Sequence, residues 1–195
     1  MLEKSSCQKG GEKKNCMRKV KFSKNTDLLD PLQKFAKYLR KKIMVLSMSE
    51  ELRRALYASS VGSLDLETYV PDLVGSTEIL TEEHRKQLCR HLPARAEGYL
   101  WTLVFSTSQH GFSLNSLYRK MTRIESPILL VIQDTDNNVF GALTSCSLKV
   151  SDHFYGTGES LLFRFNPEFS AYQWTGDNMY FIKGNNESLA IGAGE

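Results

Sequence analysis

Tyr155-Gly156-Thr157-Gly158-Glu159 is the segment whose composition comes nearest to a ligand-binding loop. Two glycines two apart let a backbone approach a phosphate closely. A phosphate loop, however, continues as G-x-x-x-x-G-K-[ST], or as G-x-G-x-x-G between a strand and a helix. Neither pattern follows here, Glu159 would repel an anion, and the next residues read as a strand. The expected role is a structural turn. Asp134-Thr135-Asp136-Asn137-Asn138 places oxygens at the first, third and fifth positions of a calcium loop. The glycine such a loop needs sixth falls on Val139 and the glutamate it needs twelfth falls on Ser145. A hairpin turn is expected instead.

The thiols and imidazoles give no stronger pattern. Cys7, Cys16, Cys89 and Cys146 form no C-x-x-C pair, and Cys89 with His84 and His91 matches no zinc spacing. Reduced thiols are the expected state, which fits the cytosol or nucleus. A sensing or scavenging thiol needs a depressed pKa and access to solvent, and small core residues are the simpler reading of Cys89 and Cys146. His84, His91, His110 and His153 form no H-E-x-x-H, and no G-x-S-x-G elbow is present. A hydrolase triad assembled in space stays open as an alternative, as does a thiol-based peroxide scavenger. Tyr172, Trp174, Tyr180 and Phe181 are aromatic, but only Lys183 among them is basic, so core packing is expected rather than stacking on nucleic-acid bases.

Charge divides the chain. Residues 1–44 hold 13 Lys+Arg against 4 Asp+Glu, whereas 45–195 hold 12 against 18. This is a basic arm on an acidic body, and such an arm meets acidic surfaces by long-range attraction. No run approaches the ~18 apolar residues of a membrane helix, and Met1–Asn25 lacks the apolar core of a secretory signal.

The elements that would position these residues follow from periodicity. Residues 1–26 read as a disordered basic tail. Asp30-Pro31-Leu32-Gln33 carries a helix-start signal, and Leu32, Phe35, Leu39, Ile43 and Leu46 recur at helical spacing. A basic helical arm over 27–60 is expected, with a second short helix over 48–59. Residues 61–76 read as a connector leading to a main domain over 77–195. In that domain Thr81 caps a helix reaching about His91. Strands are expected at Leu100–Thr107, Pro127–Gln133, Val139–Thr144, Ser160–Phe165, Phe169–Trp174, Met179–Ile182 and from Ser188, with a short helix capped by Ser113. Many short strands with polar turns predict an α+β fold, an antiparallel β-sandwich with peripheral helices.

Several ordered stretches add up to a resemblance. They are Leu92-Pro93-Ala94-Arg95 with Gly98-Tyr99 and Trp101, Ser106-Thr107 with His110-Gly111, Ser113-Leu114 with Ser116–Arg119, and Pro127–Asp134. After these come Phe140-Gly141-Ala142, Ser151-Asp152 with Phe154–Glu159, and Trp174–Asn178 with Phe181-Ile182. The set, over about Leu80 to Gly194, resembles the TLDc domain of oxidation-resistance proteins, nuclear-receptor-coactivator relatives and short TLDc-only proteins. The resemblance implies a non-catalytic interaction module that protects against oxidative damage and binds the vacuolar-type proton ATPase, with no catalytic, cofactor or metal residues. Candidate contact or fold-signature residues are Tyr155, Gly156, Thr157, Gly158, Glu159, Trp174, Gly176 and Asn178. Family members continue with further strands beyond the Gly-rich segment, so the resemblance also implies a domain truncated at its C-terminus. Its sheet would keep unpaired edges, and a non-functional fragment is the corresponding alternative.

Overall fold

The computed structural model describes residues 20–22, 42–49 and 70–192. Two sheets carry the fold. The larger has the order β3-β4-β2-β5-β6-β7-β8 and the smaller the order β1-β10-β9. In chain order, β1 is Val20–Phe22, β2 Lys42–Ser49, β3 Leu73–Val74, β4 Leu100–Ser106, β5 Ile128–Gln133 and β6 Val139–Thr144. Then follow β7 Leu161–Arg164, β8 Ser170–Gln173, β9 Ile182–Gly184 and β10 Leu189–Ile191. All ladders are antiparallel except β3 with β4. The expected α+β architecture of antiparallel sheets with peripheral helices is the observed one.

The arm is where the structure departs most from the sequence reading. Ile43 and Leu46, assigned to a helical stripe, lie in β2, which runs between β4 and β5. Met44, Val45, Leu46 and Met48 are all 2% exposed or less. A continuous apolar run buried on both faces is what a central strand requires, because consecutive side chains enter opposite layers. Leu46 and Met48 join the core on one face with Trp101, Leu129 and Phe163. Val45 joins the other with Phe105, Leu130 and Ile132. The predicted helix over 48–59 is likewise wrong at Met48 and Ser49, which are strand. Val20–Phe22, placed in a tail without regular structure, pairs with β10. The free edge of β10 supplies the backbone partners that a short extended segment needs. The helix start at Asp30, the stripe residues Leu32, Phe35 and Leu39, and residues 50–69 lie outside the described residues.

Two apolar layers follow from this sheet. One face is covered by α1 (Glu82–Cys89), which contributes Leu88 and Cys89 to a core with Ile79, Leu80 and Leu92. Thr81 caps α1 as expected: its Oγ1 accepts from the His84 N–H at 3.2 Å, and His84 Nδ1 accepts from the Thr81 N–H at 3.4 Å. His84 thus stands where a capping box usually has Glu or Gln. The other face is covered by the small sheet and by α3 (Leu114–Met121), with Leu117, Tyr118 and Met121 buried. The Tyr118 hydroxyl donates toward the carbonyls of Asn185 and Ser188, fixing the β9–β10 hairpin to α3. Between β4 and α3 runs the single turn α2 (Thr107–His110), whose Thr107 Oγ1 accepts from the β2 backbone at Ile43.

The β5–β6 hairpin closes through Asp134 as the turn chemistry predicts. Asp134 Oδ1 accepts from the N–H groups of Asp136 and Asn138, and Asn137 takes the left-handed conformation at φ 62°. The strand predicted at Met179–Ile182 is displaced: β9 begins at Ile182, and Met179 and Tyr180 are on the surface.

Candidate functional site

β6 ends at Thr144, and the chain returns to the sheet only at Leu161. The connection is pinned by two buried serines. Ser160 Oγ accepts from the Ser145 N–H at 3.2 Å, and Ser145 Oγ accepts from the Thr157 N–H at 2.8 Å. A backbone bridge joins Tyr155 to Ile182 at the start of β9. The Tyr155 hydroxyl accepts from the Lys149 N–H at 2.8 Å and donates to the Lys149 carbonyl at 3.1 Å, which closes the 149–155 loop. Burial pushes its phenol up to about 12, so it stays protonated at any physiological pH.

The two glycines have distinct tasks. Gly156 adopts φ +100°, a region costly for side-chain-bearing residues, and a Cβ there would crowd Ile182 and Phe181. Gly158 leaves room for Trp174, whose ring edge would lie 2.1 Å from a Cβ. Trp174 is held by its Nε1, which donates to the Asn178 carbonyl at 2.7 Å, and by edge contact with Phe181 at 5.3 Å. Within that loop Asn178 Oδ1 accepts from the Tyr180 N–H at 3.0 Å, and Gly176 sits at φ +92° in open space. The predicted residues Tyr155, Gly156, Gly158, Trp174 and Asn178 therefore form one connected structure. Thr157 and Glu159 line its groove, and Gly176 serves the loop's backbone path.

What this structure presents outward is apolar. Met179 is 76% exposed, Tyr180 51% and Trp174 38%. Phe154 packs on Tyr180 at 5.0 Å, and Lys183 Nζ sits 5.6 Å from the Phe154 ring centre. Beside Trp174 opens a groove of about 710 Å³, walled by His91 and Pro93 on one side and by Thr157–Leu161 on the other. Core packing, expected for the aromatic stretch, holds for Phe181 but fails for Tyr180 and in part for Trp174. The sequence reading missed Met179 and the Ser145–Ser160 pair. Met179 carried no signal beyond lying next to a Gly-Asp-Asn turn.

Three of the histidines serve the fold. His84 caps α1 and stacks on Phe165 at 4.0 Å. His110 Nδ1 accepts from the Ser106 N–H at 3.2 Å, with its ring against Phe105. His91 packs near Phe169 at 5.1 Å. Among the described residues no group of three metal-ligating side chains converges. Burial pushes the Cys89 thiol up, and the Glu97 carboxylate acts in the same direction. No helix of the described residues is long and apolar enough to cross a membrane.

A family model described as the TLDc domain matches residues 73–195, from β3 through the whole groove and aromatic loop. The chain belongs to the TLDc family. It is 50% identical over 145 residues to Oxidation resistance protein 1 of Homo sapiens, covering 74% of this chain and 17% of that protein. Against Oxidation resistance protein 1 of Xenopus laevis it is 53% identical over 128 residues, covering 66% and 15%. Against Nuclear receptor coactivator 7 of Homo sapiens it is 43% identical over 160 residues, covering 82% and 17%. The chain thus spans a small part of these relatives' length. Within the TLDc match lie all the residues of the turn and the loop, whereas β1 and β2 lie before it.

Proposed function

We propose that this TLDc chain is a non-catalytic protein-docking module in protection against oxidative damage, acting in the cytoplasm or nucleus, with the vacuolar-type proton ATPase as its partner. The observation that carries the reading is the exposed Met179–Tyr180–Trp174 surface on a rigidly tied loop. Aromatic residues and Met, anchored and solvent-facing, supply apolar contact area at little ordering cost. Likeness to Oxidation resistance protein 1 supports the protective class, and the family resemblance supports the ATPase as partner. The absence of a working thiol from this reading is supported by Cys89, whose burial disfavours the reactive thiolate. The basic arm contacts acidic surfaces and adds to the rate of encounter.

The test is binding of the full chain to purified vacuolar ATPase peripheral sector by biolayer interferometry. The Met179→Ala/Tyr180→Ala pair is expected to weaken binding about tenfold or more, as loss of a central aromatic anchor does. The unfolding midpoint should barely change, because both side chains are exposed. Equal affinity of the double variant, or no binding by the parent chain, sinks the reading.

A further inference from the structure

The β7–β8 hairpin has a second concavity at the end opposite Trp174. Gln173 pairs with Leu161 at the Trp174 end, and Ser170 pairs with Arg164 at the other. Here a pocket of about 230 Å³ opens between Phe140, Leu162 and Tyr172, with Arg164, Asn166 and Asp134 at its polar side. At ~30 Å³ per water it holds about eight waters. That is below the ~300–1,000 Å³ of cofactor- or drug-sized sites, so its natural occupant is a single side chain.

Arg164 brings the positive charge to this pocket, and Asp134 the negative one. Its guanidinium carbon lies 6.0 Å from the Tyr172 ring centre. Its Nε is buried without a hydrogen-bond partner, and Arg164 forms no ion pair with a described residue. The nearby Asp134 carboxylate is committed to its own turn: Oδ1 takes the N–H groups of Asp136 and Asn138, and Oδ2 takes Asn138 Nδ2. A half-buried guanidinium beside the Tyr172 ring, with no carboxylate paired to it among the described residues, leaves its terminal N–H groups for a planar acceptor.

We propose that this pocket receives the carboxylate of a glutamate side chain from a protein partner, bound by Arg164 with its methylenes against Phe140 and Tyr172. The apolar walls favour a ligand with a hydrocarbon stem, and the planar fork favours two parallel bonds to a carboxylate. Asp134 on the wall tolerates a monoanion better than a phosphate dianion. This inference does not rest on the Trp174 surface and stands or falls without it.

The test titrates the ¹⁵N-labelled full chain with acetyl-Ala-Glu-Ala-amide and follows backbone amide signals. The controls are acetyl-Ala-Gln-Ala-amide, acetyl-Ala-Ala-Ala with a free C-terminal carboxylate, and inorganic phosphate. The Glu peptide is expected to shift Phe140, Arg164 and Tyr172 saturably, while the Gln peptide leaves them unmoved. Arg164→Lys should bind about tenfold more weakly or worse, because an ammonium lacks the fork, with signals remote from the pocket unchanged. No saturable shift, equal response to the Gln peptide, tighter binding of phosphate or of the free-terminus peptide, or unchanged affinity in Arg164→Lys each overturns the proposal.

Discussion

Trp174 occupies the space that a side chain on residue 158 would need: a Cβ there would lie 2.1 Å from Cε3 and 2.6 Å from Cζ3 of the indole. The turn and the aromatic loop are thus one unit, joined at a glycine. Gly158→Ala is expected to push the indole off Phe181 and lose about 1–3 kcal/mol, the usual penalty of overpacking. Trp101, the other indole, is fully buried, so acrylamide quenching of native fluorescence reports Trp174. Quenching should rise in the variant and the urea midpoint should fall. Unchanged quenching would refute the coupling.

β2 carries a larger share of stability than any single turn. Its four buried apolar side chains are worth on the order of 6–12 kcal/mol at about 1.5–3 kcal/mol each. That is comparable with the whole stability of a domain, about 5–15 kcal/mol. A chain beginning at Val70 should therefore show no cooperative thermal transition by circular dichroism. Leu46→Ala in the full chain should lose about 2–5 kcal/mol. A cooperative transition in the shortened chain would show that β2 is dispensable.

His84 should make stability depend on pH. Burial lowers its pKa below 6.5, although the Ile79 backbone and Glu83 act the other way. A folded-state pKa below the unfolded one means the unfolded chain binds more protons between the two values, so stability rises with pH there. The contribution is complete above about 6.5, the unfolded value, and is lost as pH falls through the lowered folded value. His84→Gln keeps a capping side chain at the same position and removes the titration. Urea midpoints at pH 7.5 and 5.5 should differ less in the variant than in the parent.

Cys89 should be slow to react. Its thiol is pushed up by burial and by Glu97, which leaves little thiolate at neutral pH. Iodoacetamide at pH 7, read by mass spectrometry, should label Cys89 far faster in urea than in the native chain. Under the proposed protective role, a Cys89→Ala/Cys146→Ala chain should protect peroxide-stressed cells as well as the parent chain does. Loss of protection would favour the thiol-scavenger alternative.

Sequence periodicity located the domain's elements well where each element's own residues decide them. Thr81 and Ser113 cap their helices because capping is a local bond, and Asp134 organises its hairpin for the same reason. β2 was misread because Leu32, Phe35, Leu39, Ile43 and Leu46 satisfy a helical spacing, while the run Ile43–Leu46 equally satisfies a strand buried on both faces. Only the partners decide between them, and those partners, Leu129 and Leu103 for Leu46, are remote in sequence. The turn and loop residues between Tyr155 and Asn178 could be singled out as a set from the sequence. Their division into buried anchors and an exposed tip was not, because hydrophobicity alone does not separate Phe181, 4% exposed, from Met179.

The placement of β2 also sets the order in which the molecule can assemble. β2 precedes the rest of its sheet in the chain, yet Val45 pairs with Phe105 and with Leu130. Its two ladders are complete only once both neighbours have been synthesised. Contacts of such long sequence separation form slowly, and unpaired strand edges expose a nascent chain to aggregation meanwhile.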